Sequence, residues 1–340
     1  MSKLRVGILG CAKIAEKYAI RAFQAIDNAE VVSIASRDSR KAKEWASRFG
    51  IKNGESYEDL ISSPEVDAVY IPLPVGLHKE WVLKAATKKK HIISEKSLAG
   101  DFASVKEIAD AARKNNVVLY ENFMCDFHPQ HEAVLSLIKD GKVGKPFIFQ
   151  GFFGIPPLAD DNIRYDKNLG GGSLNDAGVY TVFMARKILG MEPLTATCTL
   201  YNDGGHQVDV KGTAKLEFPD GMEALLAFSF DALYQSNYSV WGEKGLIKVA
   251  RAYSIPPDVK PTIELTTNEN SKEAVTQIDA PAANHFELSF SDFCDTVLNK
   301  NQRTDKINKT YAGLVSHAKV IEAMRISARE NRKVSLTELF

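Results

Sequence analysis

Four short stretches of the chain carry residue types that can do chemistry together. The first is Gly7-Ile8-Leu9-Gly10-Cys11-Ala12-Lys13-Ile14-Ala15, which continues an apolar β-type run at the N-terminus. Read as GxGxxG/A, it supplies Gly10, Ala12 and Ala15. Gly10 suits a tight turn from strand to helix. The free N–H groups and positive dipole end of that helix suit a pyrophosphate, and Ala15 permits close packing of helix on sheet. Ala12 stands where glycine is usual and costs one methyl of clearance. The second stretch, Ser36-Arg37-Asp38-Ser39-Arg40, closes the next β-type run. A site for NAD places Asp or Glu there, on the ribose 2′-hydroxyl. Here Ser36 holds that place, with Arg37 beside it and Arg40 nearby. A hydroxyl and a guanidinium suit a 2′-phosphate, so NADP(H) is expected over NAD(H). Asp38 or Ser39 also reads as a helix N-cap, which is compatible with Arg37 binding phosphate.

The third stretch is Glu95-Lys96-Ser97, at the end of a strand expected over 91–94. Ligands of open α/β sheets bind at strand carboxyl ends, and a lysine there suits the nicotinamide half of a dinucleotide. The fourth is Gly170-Gly171-Gly172-Ser173-Leu174-Asn175-Asp176-Ala177-Gly178-Val179-Tyr180. Three glycines precede a helix start, and Asp176 and Tyr180, at i and i+4, share one face of that helix.

The elements that must position these residues have two textures. Over 1–122, β-type runs at 4–9, 31–36, 66–73, 91–94 and 117–120 alternate with amphipathic helical runs. Continuous Val/Ile-rich strands separated by helices indicate a doubly wound parallel sheet, a Rossmann-type dinucleotide-binding domain. Over 123–340 the texture is α+β. Helices are expected across 129–139, 174–189, 286–298 and 312–329, and strands across 214–218, 222–230, 232–240 and 246–249. Tight turns between those strands indicate a large open, mostly antiparallel sheet with helices on one side. Residues 266–276 read as a hairpin tip or surface loop. An open sheet with an apolar outer face needs a cover, so a homo-oligomer built on that sheet, a dimer or larger, is expected.

Composition removes several classes. The 340 residues hold 43 Lys plus Arg and 43 Asp plus Glu, for a net charge of zero. That argues against a broad face for nucleic acid or an anionic membrane. At about 150 residues per domain, two domains fit. Cys11, Cys125, Cys198 and Cys294 form no CxxC and no zinc spacing, which fits a reducing compartment. The longest uncharged stretch, 146–159, is shorter than the ~18 residues a membrane-spanning helix needs. A cytoplasmic protein is expected. His128 and His131 lack a third metal ligand at suitable spacing, so hydrogen bonding at a surface or pocket is expected of them. No GxSxG elbow or Cys/His pattern points to a hydrolase.

GILGCAKIA, the strand-end EKS and GGGSLNDAGVY, in that order and spacing, resemble the Gfo/Idh/MocA oxidoreductases, and the resemblance covers essentially the whole chain. In that family a Lys of an E-K-P motif and a D-x-x-x-H/Y pair line the active site. Here the resemblance implies Lys96, Asp176 and Tyr180. Ser97 replaces the proline. Tyr in the last position is similar to the dihydrodiol dehydrogenase and sugar-nucleotide ketoreductase branches. The segments ENFM, HPQH, FGIPP and NIRY resemble the 3-ketoreductases of nucleotide-linked deoxysugars.

The resemblance implies an NADP(H)-dependent transfer of hydride to or from a sugar-type carbonyl or alcohol. The cofactor supplies hydride, Tyr180 acts as general acid, and the Lys96 ammonium lowers the phenol pKa from about 10 and steadies the oxyanion. Asp176 orients Lys96 or binds a sugar hydroxyl. Cys11, Lys13, Ile14, Pro72, Leu73, His78 and Glu95 complete the implied cofactor surroundings. Arg164, as a diphosphate grip, Tyr165, as a stacking surface, and Asn122, at a strand end, are the substrate-binding candidates. A dehydrogenase of free sugars or trans-dihydrodiols uses the same Lys/Tyr pair and stays open. So does a non-catalytic dinucleotide or sugar sensor, although both reactive side chains are present.

Overall fold

Short Val-, Ile- and Leu-rich runs, buried on both sides, pair as parallel strands because each is followed by a helix that returns the chain to the same edge. In a computed structural model that describes residues 3–269, 272–299 and 303–340, the first such run is β1 (Leu4–Leu9). A π-helical turn (Ala15–Ala19) leads into α1 (Ile20–Ala25), and β2 (Ala29–Ala35), α2 (Ser39–Phe49), β3 (Asn53–Glu55) and α3 (Tyr57–Ser62) follow. Next come β4 (Ala68–Ile71), α4 (Val75–Thr87), β5 (His91–Glu95), α5 (Phe102–Asn115) and β6 (Leu119–Asn122). The six strands are ordered β3-β2-β1-β4-β5-β6, all parallel. Side-chain caps fix the helix starts: Asp38 accepts from the Arg40 and Lys41 amides at α2, and Asp101 accepts from Ser104 at α5.

Thereafter come α6 (Pro129–Lys139), β7 (Pro146–Gly154), a π turn (Leu174–Gly178) running into α7 (Val179–Leu189), and β8 (Thr195–Tyr201). The strands β9 (Lys211–Glu217), β10 (Glu223–Ser229), β11 (Gln235–Gly242), β12 (Gly245–Ala250), β13 (Thr262–Glu269) and β14 (Lys272–Ile278) follow. The chain closes with α8 (His285–Leu298), α9 (Arg303–Glu330) and β15 (Val334–Ser335). The second sheet has nine strands ordered β14-β13-β12-β11-β7-β10-β9-β8-β15, antiparallel throughout except for the β7–β10 pair.

One departure from the sequence reading has a physical cause. The strand β7, PFIFQGFFG, lies inside the second sheet, although its sequence reads only as an uncharged, Gly- and Pro-containing stretch. Its alternation shows only once Phe149, Gly151 and Phe153 are seen to be buried. The segment around 266–276 is mostly strand, β13 and β14, with 270 and 271 outside the described residues.

The chain divides into two compact units: residues up to Met124 with His285–Val315, and Cys125–Asn284 with Ser316–Phe340. The sequence reading assigns everything after 122 to the second domain. Instead α8 and the first part of α9 belong to the dinucleotide unit. The cause is the apolar face of α8. Phe290 stacks on Phe23 of α1, Phe286 stacks on Tyr18, and Phe293 meets Tyr120 edge-on. In the second unit the inner sheet face packs on α7. The outer face carries Ile148, Phe152, Leu225, Trp241 and Leu246, with Trp241 53% exposed. No helix among the described residues is long and apolar enough to cross a membrane.

Candidate active site

At the nucleotide end of the first unit, Gly10 leaves β1 with φ +139°, and a Cβ there would come 2.9 Å from Leu73 Cδ2. The positive φ strains any side chain at this position, and its Cβ would also displace the end of the Leu73 side chain. The Glu16 amide donates to the Ala12 carbonyl, so helical hydrogen bonding begins at the dinucleotide turn. Cys11 Sγ lies 3.8 Å from the Ala35 carbonyl at the end of β2. Burial pushes its thiol up to about 11, which keeps it neutral at pH 7. Lys13 is exposed, Ala12 and Ile14 are half-buried, and Ala15 is fully buried against the sheet.

At the end of β2, the Ser36 amide donates to the Glu55 carbonyl and its Oγ accepts from the Asp38 amide at 3.2 Å. Asp38 caps α2, while Arg37 and Arg40 stand exposed at this strand end. The place an NAD site gives to a carboxylate thus holds a hydroxyl beside two guanidinium groups.

Farther along the same sheet edge, Pro72 is buried and Leu73 half-buried. His78 is fully buried, with Nδ1 2.8 Å from the Ser97 carbonyl and Nε2 2.6 Å from the Leu73 carbonyl. Burial pushes its pKa down to about 4, so the neutral ring donates one of these two bonds. It lies between the turns after β4 and β5 and donates to one of them from the interior. Lys96 follows β5 half-buried, and the Lys96–Ser97 peptide is cis. Glu95 Oε1 accepts from Tyr70 Oη at 2.8 Å and from Asn122 Nδ2 at 2.7 Å, and Asn122 Oδ1 accepts from Ser289 Oγ at 2.8 Å. Asn122, expected as a substrate contact, is 1% exposed, and in this structure its amide holds Glu95.

In the second unit, Arg164 Nε donates to Asp176 Oδ2 at 2.6 Å. The Asp176 carboxylate holds the Arg164 guanidinium pKa above its ordinary value. Tyr165, its neighbour, turns elsewhere. Its ring stacks on His206 at 3.9 Å and meets Phe230 edge-on. His206 Nδ1 bonds Asp203, which is pulled down to about 2. Tyr180 is 5% exposed and packs edge-on to Phe153 at 5.4 Å. The turn that carries Asp176 is π-helical over Leu174–Gly178 and runs into α7, which carries Tyr180. His128 and His131 are interior groups, not surface ones. His128 caps α6, and His131 contacts Tyr238 Oη and the Ala252 carbonyl. Among the described residues no cluster has the makings of a metal site.

Sequence reasoning missed His206, Asp209, Tyr70 and Ser289. Tyr70, Asp209 and Ser289 reach their partners, and His206 its stacking on Tyr165, from another element, and no spacing rule marks them.

A Rossmann sheet with a glycine turn and a lysine at its strand ends, joined in one chain to an open mixed sheet with a buried Tyr on its packed helix, defines a dinucleotide-dependent oxidoreductase. The family model for the oxidoreductase family with NAD-binding Rossmann fold matches residues 4–123, and that for the GFO/IDH/MocA C-terminal domain matches 131–248. The chain belongs to the Gfo/Idh/MocA oxidoreductase family. It is 37% identical over 82% of its length to a dTDP-3,4-didehydro-2,6-dideoxy-alpha-D-glucose 3-reductase of Saccharopolyspora spinosa, covering 83% of that protein. It is 36% identical over 77% of its length to a D-xylose 1-dehydrogenase (NADP(+)) of Haloferax volcanii, covering 80% of it. A 3-ketoreductase from Actinomadura kijaniata, solved with NADP and TDP-benzene, superposes with a TM-score of 0.90 at 32% identity, over 96% of this chain and 98% of that one. Variants of that enzyme have been solved with one tyrosine changed to phenylalanine, and with one lysine changed to alanine or glutamate. Those two positions are as far apart in its chain as Lys96 and Tyr180 are here.

Proposed function

We propose that this enzyme is an NADPH-dependent ketoreductase of a nucleoside-diphosphate-linked deoxysugar. The observation that carries the reading is the full-length likeness to a 3-ketoreductase holding NADP and TDP-benzene, together with the matched Lys–Tyr separation. The residues present fit the dinucleotide: Gly10 leaves no Cβ over the turn, and Arg37 and Arg40 suit a 2′-phosphate, which supports NADP(H) over NAD(H). Bound NADPH supplies a hydride. The chain's own residues do the rest. Tyr180 protonates the nascent alkoxide as general acid, and the Lys96 ammonium favours the phenolate left behind. Thermal shift tests this reading. NADPH at about 100-fold its Kd adds about 2.7 kcal/mol, and dTDP or UDP is expected to add a further shift on top. A shift with NADPH and none with either nucleotide transfers the enzyme to free sugars, the reading favoured by the D-xylose dehydrogenase relative.

We also propose a homo-oligomer built on the outer face of the nine-stranded sheet, supported by the exposed Trp241 and Phe152 on that face. Sedimentation at micromolar concentration checks it, and a monomer rejects it. A cytoplasmic location is supported by four unpaired thiols.

A further inference from the structure

The parallel ladder between β5 and β6 ends where Glu95 pairs with Asn122. Lys96 is the next residue, so the turn that carries it, 96–98, has left the ladder. Such a turn needs other partners, because a buried backbone amide without an acceptor is costly. Side chains supply them. On the near side, Asn122 Nδ2 holds the Glu95 carboxylate at 2.7 Å, with Tyr70 Oη on the same oxygen. In the middle, His78 Nδ1 lies 2.8 Å from the carbonyl of Ser97, a residue with no ring to fix its φ. On the far side, the Leu98 amide donates to Glu121 Oε1 at 2.7 Å. Leu98 is 1% exposed, so this oxygen takes the place of water. Glu121 is half-buried near the end of β6, and its register partner on β5 is Ser94. Its carboxylate therefore reaches past the strand and into the turn, four residues beyond that partner. The last two residues of β6 thus hold the Lys96 turn at both its ends.

We propose that Glu121 is a positioning residue for Lys96. By holding the Leu98 amide, its carboxylate fixes the far side of the turn and so the direction in which the lysine leaves the backbone. The inference rests on the reading of Lys96 as a group that serves the nicotinamide half of the dinucleotide. Each residue has only two soft backbone dihedrals, so a turn this short is set once both its ends are held. With Glu95 held on one side of Lys96 and Leu98 on the other, little is left to vary at the Cα between them. A charged acceptor suits the task, since a carboxylate makes a shorter and stronger bond to an amide than a neutral oxygen does. Release of the Leu98 end keeps the Lys96 ammonium but loses its direction. In this role Glu121 needs no contact with cofactor or substrate, and its effect passes through Lys96.

The test is calorimetric titration of the full-length enzyme with NADPH and, as a probe of the adenine half alone, with adenosine 2′,5′-bisphosphate. Glu121→Ala is expected to weaken NADPH about tenfold, the effect of losing one hydrogen bond from an ammonium group, and to leave the bisphosphate unchanged. Glu121→Gln keeps a carbonyl oxygen for the Leu98 amide and is expected to restore most of the NADPH affinity. Lys96→Ala is expected to weaken NADPH at least as much. Adding Glu121→Ala to it is expected to change nothing more, because the carboxylate acts through the lysine. A merely structural role would weaken both probes, and would do so again in the Lys96→Ala background. Unmoved NADPH affinity in Glu121→Ala, or losses that multiply in the double variant, overturns the proposal. Should Glu121→Ala not fold, Glu121→Asp, which draws the acceptor back by one methylene, takes its place in the same cycle. Wild-type NADPH affinity in Lys96→Ala defeats the reading of Lys96 and the proposal with it. That outcome is distinct from a silent Glu121→Ala beside a weakened Lys96→Ala, which defeats the proposal alone.

Discussion

Phe23 and Phe290 lie face to face, with ring centroids 3.9 Å apart and planes within 3° of parallel. They are 267 positions apart in the chain, yet both belong to the dinucleotide unit, one on α1 and the other on α8. The stack extends through Tyr70, edge-on to both rings. Tyr70 Oη in turn donates to Glu95, the residue before Lys96. The late helix is thus part of the support beneath the strand-end lysine.

Phe290→Ala is expected to cost about 3–5 kcal/mol of unfolding free energy, because both rings are fully buried and the hole cannot collapse onto a rigid sheet. Urea unfolding measures it. A cost below about 1 kcal/mol would mean that α8 merely rests on the unit.

Arg37→Ala is expected to weaken NADPH about tenfold or more and to leave NADH unchanged, since only NADPH carries the 2′-phosphate. Fluorescence titration with both cofactors separates the terms. Equal losses would remove Arg37 from 2′-phosphate recognition.

Tyr180→Phe is expected to lower kcat by about 10²–10⁴ with little change in NADPH affinity, because the ring's packing on Phe153 survives and only the proton is lost. Steady-state kinetics beside cofactor titration read this, and unchanged turnover would exclude Tyr180 as the acid.

His78 carries a pH dependence of known sign. Its folded pKa is about 4, pushed down by burial, against an ordinary 6.5. Between these values the unfolded chain binds more protons. The stabilisation is therefore complete above pH 6.5 and is lost as pH falls toward 4, by about 3 kcal/mol in all. Urea curves of the wild type and His78→Gln at pH 7.5 and 4.5 should converge at the lower pH. Parallel losses would assign the acid sensitivity elsewhere.

Much of this protein is legible in its sequence. The order of strand and helix over the first 122 residues, the glycine turn, the Ser36-Arg37 strand end and the position of Lys96 are local patterns. Local patterns survive because hydrophobic period, turn chemistry and helix capping act over a few residues. The helix that carries Asp176 and Tyr180 is legible for the same reason. The ion pair of Asp176 with Arg164 is not, since it accompanies a close approach at Gly171 whose need for a bare Cα appears only when the Arg164 carbonyl lies against it. The tertiary structure alone decided that α8 returns to the first unit, that β7 is an interior strand, and that Asn122 and His78 act from the interior. Each of these turns on burial by residues far away in the chain. Burial is a sum over neighbours that no window of sequence contains.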